Sequence, residues 1–287
     1  MKLHSLALIG AAMVALALPC IAADGPETKR DDAASEKLRI RLSLQCYTFR
    51  ALTFFETVDE AKKMGIRYLE IYPGQKLKPG SDANVSKGMS AETIADIKKK
   101  LVDAGGLKLI AYGVDGVATD EAGARKEFEW AKDLGIRVLV TETTPTEVHD
   151  KLCDEFKIKM ALHNHPQSWP PDEVLRATKD RVKRIGSCSD TGHWVRRDLV
   201  PVEQLRKLEG RVEHLHFKDL NKMGGDAHDV PWGTGVSDAK GMLAELKRQG
   251  YRGYLSIEYE TGSVAELEAN LPKCVAFFDK TMTELSK

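Results

Sequence analysis

Past residue 23 the chain has no apolar run long enough to cross a bilayer, so nothing in its body reads as a membrane span. No charge sign is in excess either. Lysine plus arginine and aspartate plus glutamate each number 43, a formal net charge of zero, and removing one lysine with a leader leaves about −1. Such a balance gives no electrostatic footprint for nucleic acid or an anionic membrane. No Gly-x-Gly-x-x-Gly turn follows the first strand-like segment, which speaks against a dinucleotide-binding fold. Cysteines are few, five in 287 residues. Cys46, Cys153, Cys188 and Cys274 lie far apart in a domain large enough to need no cross-link, and no disulfide is expected.

What is present begins with a leader. Residues 1–23 carry Lys2, an apolar run from Leu6 to Leu18 and small residues at Ala22 and Ala23, the layout of a secretory signal peptide. Export, most simply to a bacterial periplasm, is the expectation, with no membrane association after cleavage. Residues 24–37 are polar and without periodicity and read as a flexible lead-in. The roughly 250 residues from 38 to 287 match the size of one (β/α)8 barrel.

From Arg39 onward, short apolar runs alternate with helical patterns. Strands are expected at 39–47, 68–72, 107–114, 138–142, 159–163, 184–189, 212–217 and 254–259. Each is followed by a helix, entered through Ser90, Pro171 or Pro201 in three cases and closed at Gly65, Gly135 or Gly250 in three others. Regular alternation requires a parallel sheet with crossover helices, and eight units favour a closed α/β TIM barrel whose strand ends share one face.

Those ends carry the chemistry. Glu142, His163, His165, Asp190, His193, His216, Lys218 and Glu258 fall at or just past strand ends, and five consecutive strands finishing on metal-binding side chains is a poor match to chance. Asp190, His216 and Glu258 are the firmest ligands for Mn²⁺, Mg²⁺, Co²⁺ or Zn²⁺. His163 and His165, two apart on a strand, point to the same side, so the deeper could ligate while the outer meets substrate; Glu142 could add a carboxylate. Glu70, ending the second strand, is expected at the substrate. Trp169, Trp194 and Trp232 in strand-end loops could stack on a sugar ring, whereas Trp130 on a helix reads as core. The Gly233-Thr234-Gly235 turn is either a backbone phosphate cradle or a plain tight turn.

Five motifs, His163-Asn164-His165-Pro166, Asp190-Thr191-Gly192-His193-Trp194, His216-Phe217-Lys218-Asp219, His228 to Gly235 and Ser256-Ile257-Glu258-Tyr259-Glu260, resemble the exported branch of the xylose-isomerase-like barrel superfamily, called sugar phosphate isomerase/epimerase. The likeness runs from Leu38 to Thr281. It implies a metal set of Glu, Asp, His and Glu on strands five to eight, of which Asp190, His216 and Glu258 match the last three. His163 stands where the first Glu would be. It further implies substrate-binding or proton-handling roles for His165 and His193, with Lys218 on the same side of its strand as the metal histidine.

The expected activity is that of a metal-dependent sugar isomerase or epimerase. A proton is lost next to a carbonyl and the resulting enediolate is stabilised by the cation. Because phosphorylated pools are cytoplasmic, an unphosphorylated sugar or keto-sugar is the expected partner. A homo-oligomer is compatible with this reading. The alternatives are a 3-keto-glycoside lyase or hydratase on the same scaffold, a non-catalytic exported sugar-binding barrel, and, against the neutral charge, a nuclease.

Overall fold

The computed structural model describes residues 30–287; the leader and residues 24–29 of the lead-in lie outside them. Eight parallel strands, β1 (Ile40–Gln45), β2 (Tyr68–Ile71), β3 (Lys108–Tyr112), β4 (Val138–Thr141), β5 (Lys159–His163), β6 (Ile185–Asp190), β7 (Val212–Phe217) and β8 (Gly253–Ile257), pair in chain order and close through β1 and β8. All eight coincide with the apolar runs read from the sequence.

The helices are α1 (Ala33–Leu38), α2 (Phe54–Lys63), α3 (Ala91–Asp103), α4 (Glu121–Asp133), α5 (Glu147–Phe156), α6 (Pro171–Thr178), α7 (Thr191–Val195), α8 (Pro201–Lys207), α9 (Ala239–Arg248) and α10 (Val264–Leu285). Ser90 caps α3 by accepting from the Thr93 amide, and Pro171 and Pro201 occupy first turns, as the composition of those turns requires. Gly65, Gly135 and Gly250 end α2, α4 and α9 at positive φ, where a side chain would be strained.

Two departures from the sequence reading have local causes. Part of the expected lead-in is helical: α1 packs beside α10, and Arg30 pairs with Asp279 at 2.7 Å while Asp32 and Glu36 meet Arg67. Long-range ion pairs give this segment the order that its composition alone does not. The short helix α7 escapes periodicity because one and a half turns contain no repeat.

The barrel interior is layered. At the N-terminal end Ile110, Val138, Val140, Ala161 and Cys188 fill the axis, with Tyr68 and Tyr254 stacked edge to face beneath them at 4.9 Å. Above lies a polar layer, including Ser43 and Ser256 hydrogen-bonded at 2.8 Å. The larger apolar core sits between strands and helices. All four cysteines of the described residues are buried and free.

Strand β6 approaches β7 so closely that a Cβ on Gly186 would lie 2.1 Å from the Arg211 carbonyl oxygen and 2.8 Å from Glu213 Cγ. Gly186→Ala must therefore spread the two strands, at a cost of about 1–3 kcal/mol. Thermal unfolding should show a Tm lower by several degrees, at about 2–4 °C per kcal/mol for a domain this size. An unchanged Tm would mean that the two strands do not approach this closely.

Candidate metal centre

Strand register assembles the site. Asp190 on β6 is paired with His216 on β7, His216 with Ser256 on β8, and Glu258 follows β8 directly. One donor atom from each of His163, Asp190, His216 and Glu258 falls within 4.8 Å of the others, and all four residues are buried. Three of these positions, His163, Asp190 and His216, hold buried polar atoms without a hydrogen-bond partner: both ring nitrogens of His163, Oδ2 of Asp190 and Nδ1 of His216. An orphaned buried donor or acceptor costs about 1–3 kcal/mol, so several in one cluster mark a place for an ion to bond them. Two imidazoles and two carboxylates suit a borderline divalent cation, and the residues present fit one.

The other oxygen of Asp190 is already engaged. Oδ1 accepts from the His193 amide at 2.8 Å and caps α7, which leaves Oδ2 turned into the cluster. Lys218 is the cation the chain itself supplies. Its fully buried Nζ lies 2.9 Å from Asp190 Oδ2, 2.8 Å from Glu258 Oε2 and 2.7 Å from Glu260 Oε2. The approach to Asp190 Oδ2 is an ion pair without hydrogen-bond alignment, which is why that oxygen still lacks a bonded partner. Burial opposes the charge on Lys218, but the carboxylates of Asp190, Glu258 and Glu260 outweigh it and hold the ammonium well above its usual range. Gly192 bears no side chain because its Cβ would meet Lys218 Cδ at 2.6 Å.

Glu70 is not at the substrate. It is fully buried in the polar layer, accepting from His214 Nε2 at 2.7 Å, His216 Nε2 at 2.9 Å and Ser256 Oγ at 2.6 Å. Holding the Nε2 proton of His216 leaves Nδ1 free to bond a cation, the usual service of a carboxylate behind a metal histidine. Glu142 is corrected as well. It stands partly exposed outside the four-residue cluster, with Oε1 2.5 Å from His165 Nδ1 and 2.6 Å from Ser168 Oγ. Trp194 is buried in the hydrophobic core and Trp232 packs on Phe217, ring centroids 4.6 Å apart, so neither faces the pocket. Their indoles are large apolar surfaces that the barrel wall buries in preference to leaving them in loops. Trp169 donates to the Glu142 carbonyl at 2.9 Å, and Trp130, half-buried, meets Tyr112 edge to face.

A cavity of about 300 Å³ opens above the cluster, with His163, His165, His193, Glu258 and Glu260 on one side and Gln45, Tyr47 and Tyr72 on the other. The two tyrosines, 5.2 Å apart, form the aromatic wall that the tryptophans were expected to supply. Their signal in the sequence is weak, since Tyr47 and Tyr72 close expected strands, where a tyrosine is as readily core as pocket wall. The Gly-Thr-Gly turn is no phosphate cradle: Gly233, Gly235 and Ser237 donate their amides to the buried Asp219 carboxylate at 2.8, 3.0 and 3.0 Å.

Two histidines facing the cavity have opposite tautomers. A guanidinium can only donate, and Arg196 lies 3.2 Å from His193 Nδ1, so the proton of neutral His193 sits on Nε2. Burial holds this ring's pKa down to about 4, so it is neutral at pH 7. In His165 the ionised Glu142 accepts from Nδ1–H, which leaves Nε2 as a lone pair.

These groups contribute to the acid stability of the metal-free protein. His163 and His193 are kept neutral, chiefly by burial, so below about pH 6.5 the unfolded chain takes up protons that the folded one refuses, and stability falls towards pH 4. In His216 burial is outweighed by Cys188, Glu258 and Glu70, and the raised pKa makes its contribution constant below about 6.5. Glu258, which burial would raise but His216 and Lys218 hold at about 2, adds stability that is lost only as pH falls further. Calorimetry in EDTA should therefore show Tm declining from about pH 6.5 to 4 and more steeply below. A Tm that rises on acidification would contradict the neutral state of the two rings.

A family model described as xylose isomerase-like TIM barrel matches residues 58–281. The rhizopine catabolism protein MocC of Rhizobium meliloti is 27% identical over 215 residues, covering 56% of this chain and 66% of that protein, so the chain spans a little under two thirds of its relative's length. A solved structure of a protein from Parabacteroides distasonis superposes with a TM-score of 0.67 at 29% identity, over 84% of this chain and 99% of that one. A xylose isomerase-like TIM barrel protein from Mycobacterium smegmatis in complex with magnesium gives 0.66 at 13% identity, over 86% and 98%, a likeness of fold. With most of the chain matched by the family model, this chain belongs to the xylose isomerase-like TIM barrel family.

Proposed function

We propose that the chain is a divalent-metal-dependent enzyme that removes a proton next to the carbonyl of an unphosphorylated sugar or keto-sugar, in the manner of an isomerase or epimerase. The observation that carries this reading is the cluster of His163, Asp190, His216 and Glu258, with its orphaned buried atoms, at the floor of a sugar-sized cavity. Structures of the same fold include a sugar phosphate isomerase/epimerase, a D-tagatose 3-epimerase-like protein and a dehydratase. A cation held by the four residues would polarise a substrate carbonyl and stabilise the charge left by proton loss. With histidine in place of one carboxylate, the donor set favours Zn²⁺, Mn²⁺ or Co²⁺ over Mg²⁺.

The remaining residues divide the proton work. His165, with its Nε2 lone pair and Glu142 behind it, is the base; neutral His193 keeps its proton and donates a hydrogen bond from Nε2 to the oxygen on which charge develops. Glu258 would help hold the cation, and Lys218 offsets the carboxylate charge while holding Asp190 and Glu258 in place. Tyr47 and Tyr72 supply an apolar face for a sugar ring. An unphosphorylated substrate is supported twice: no arginine or lysine lines the cavity among the described residues, and the loop amides serve Asp219. Export, read from residues 1–23, agrees with that substrate class.

A second reading rests on His193. A hydrogen-bond donor fixed in place stabilises a departing oxygen, which can take its proton from His165 once that base has accepted one from carbon, so a keto-sugar with a leaving group β to its carbonyl would undergo elimination, as in a 3-keto-glycoside lyase.

Elemental analysis of the purified protein is expected to find one divalent ion per chain, removed by EDTA and absent from Asp190→Asn. Glu70→Gln should keep the fold and lose about 10–100-fold in metal affinity. In D₂O, a screen of ketoses, aldoses and 3-keto-glycosides should reveal a substrate that takes up deuterium next to its carbonyl, with aglycone release marking elimination. His193→Phe, which removes the donor, should slow turnover by about 10²–10³-fold. A chain that binds sugar without metal and exchanges no proton would overturn the proposal.

A further inference from the structure

The N-terminal mouth of the barrel, on the face opposite the candidate metal centre, gathers cationic side chains. Each of the eight strands is entered through, or begins with, an arginine or lysine. Around part of the rim these cations are neutralised. Arg67 pairs with Asp32 and Glu36, Arg184 with Asp154, and Arg211 spends its guanidinium on the carbonyls of Arg181, Val182 and Ile185.

On the axis they are not. A cavity of about 200 Å³ is walled by β1 and β8 on one side and by β4 and β5 on the other, strands that can share a pocket only across the barrel centre. Six cationic side chains line it: Arg39, Arg41, Arg137, Lys157, Lys159 and Arg252. Arg41 is held by Glu36 at 2.7 Å and lies over the Tyr254 ring that closes the floor, and Lys159 pairs with Glu213 at 2.7 Å. Glu213 is the one acid in the lining. The side chains of Arg39, Arg137, Lys157 and Arg252 have no hydrogen-bond or ion-pair partner among the described residues, and all four are exposed enough to reach a ligand.

Helix ends account for part of this charge. Arg39 and Lys157 cap α1 and α5, where a cation answers the negative end of the helix. Arg137 and Arg252 lie four residues beyond the last residues of α4 and α9, past the last turn over which that effect acts. Four unpaired cations held by rigid strand ends around one concavity, in a chain whose total charge is zero, repel one another until an anion joins them.

We propose that this mouth binds a ligand bearing two or more phosphate or sulfate groups, independently of the metal centre. Several charges are needed because the cations face each other across the axis, and a guanidinium bonds such oxygens in pairs. The chemistry is shared by soluble oligophosphates and by the headgroups of anionic lipids, and the experiment separates the two.

Isothermal titration of the purified full chain with tripolyphosphate at low salt is expected to show one saturable site that weakens steeply as salt is added. The double variant Arg137→Gln/Arg252→Gln should lose at least tenfold in affinity while keeping the wild-type Tm, and Asp190→Asn, altered on the other face, should bind normally. Co-sedimentation with phosphatidylcholine vesicles containing cardiolipin, whose headgroup carries two phosphates, against phosphatidylcholine alone, supplies the second arm. Vesicle binding lost in the double variant assigns the site to a lipid surface; tripolyphosphate binding without vesicle binding assigns it to a soluble ligand. Absence of saturable binding to either probe, or equal binding by the double variant, overturns the proposal.

Discussion

Charge buried where water cannot reach it must be answered within a few ångströms, and the C-terminal rim is arranged around that requirement. Lys218 meets three carboxylates, and each of these then has a place fixed for it. Arg196 adds a second cation at 2.9 Å from Glu260, and the same guanidinium fixes the tautomer of His193. The chain's own groups do not satisfy every buried atom: both nitrogens of His163 and Nδ1 of His216 lack an aligned hydrogen-bond partner, although His216 Nδ1 lies 3.2 Å from Glu258 Oε2 and His163 Nε2 3.6 Å from Asp190 Oδ2. The imbalance between what Lys218 answers and what it leaves is the physical case for a metal ion.

Depth within the barrel decides what each polar residue does. Glu70, His214 and Ser256 lie one layer below the rim, bonded to one another and to the back of His216. A carboxylate at that level cannot meet substrate, yet it governs which nitrogen of His216 faces upward. Asp190 divides its two oxygens in the same spirit, one capping α7 and one facing the cluster, so a local helix and a ligand set depend on a single side chain.

The strand count, the strand order and the rim residues were legible because parallel strands buried on both faces read as apolar runs ending abruptly in polar ones. His163, Asp190, His216, Lys218 and Glu258 come together as their positions at strand ends required. What the sequence does not encode locally is rotation and depth. A register shift between Leu69 and Glu70 sets that carboxylate in the interior layer, and no periodicity in a strand of four residues discloses it. Trp194 and Trp232 were misplaced because a tryptophan after a strand can turn outward to the core as readily as inward to a pocket. Glu142 and His165 were assigned separate tasks, whereas their 2.5 Å contact makes them one unit.

Net charge misled for a related reason, since a sum of zero says nothing about where the charges sit. In a (β/α)8 barrel every strand runs from one mouth to the other and every following helix runs back, so helix N-termini gather at the C-terminal mouth and helix C-termini at the opposite one. The positive ends of the helices thus favour carboxylates around the candidate metal centre, and the negative ends favour the cations that cap them, Arg39 and Lys157, but do not reach Arg137 and Arg252. Backbone dipoles therefore explain part of the separation of acids and bases in a neutral chain, and the cations on the axis of the N-terminal mouth stand outside that explanation. One face is then short of a cation and the other, at its axis, short of an anion, although the chain as a whole is short of neither.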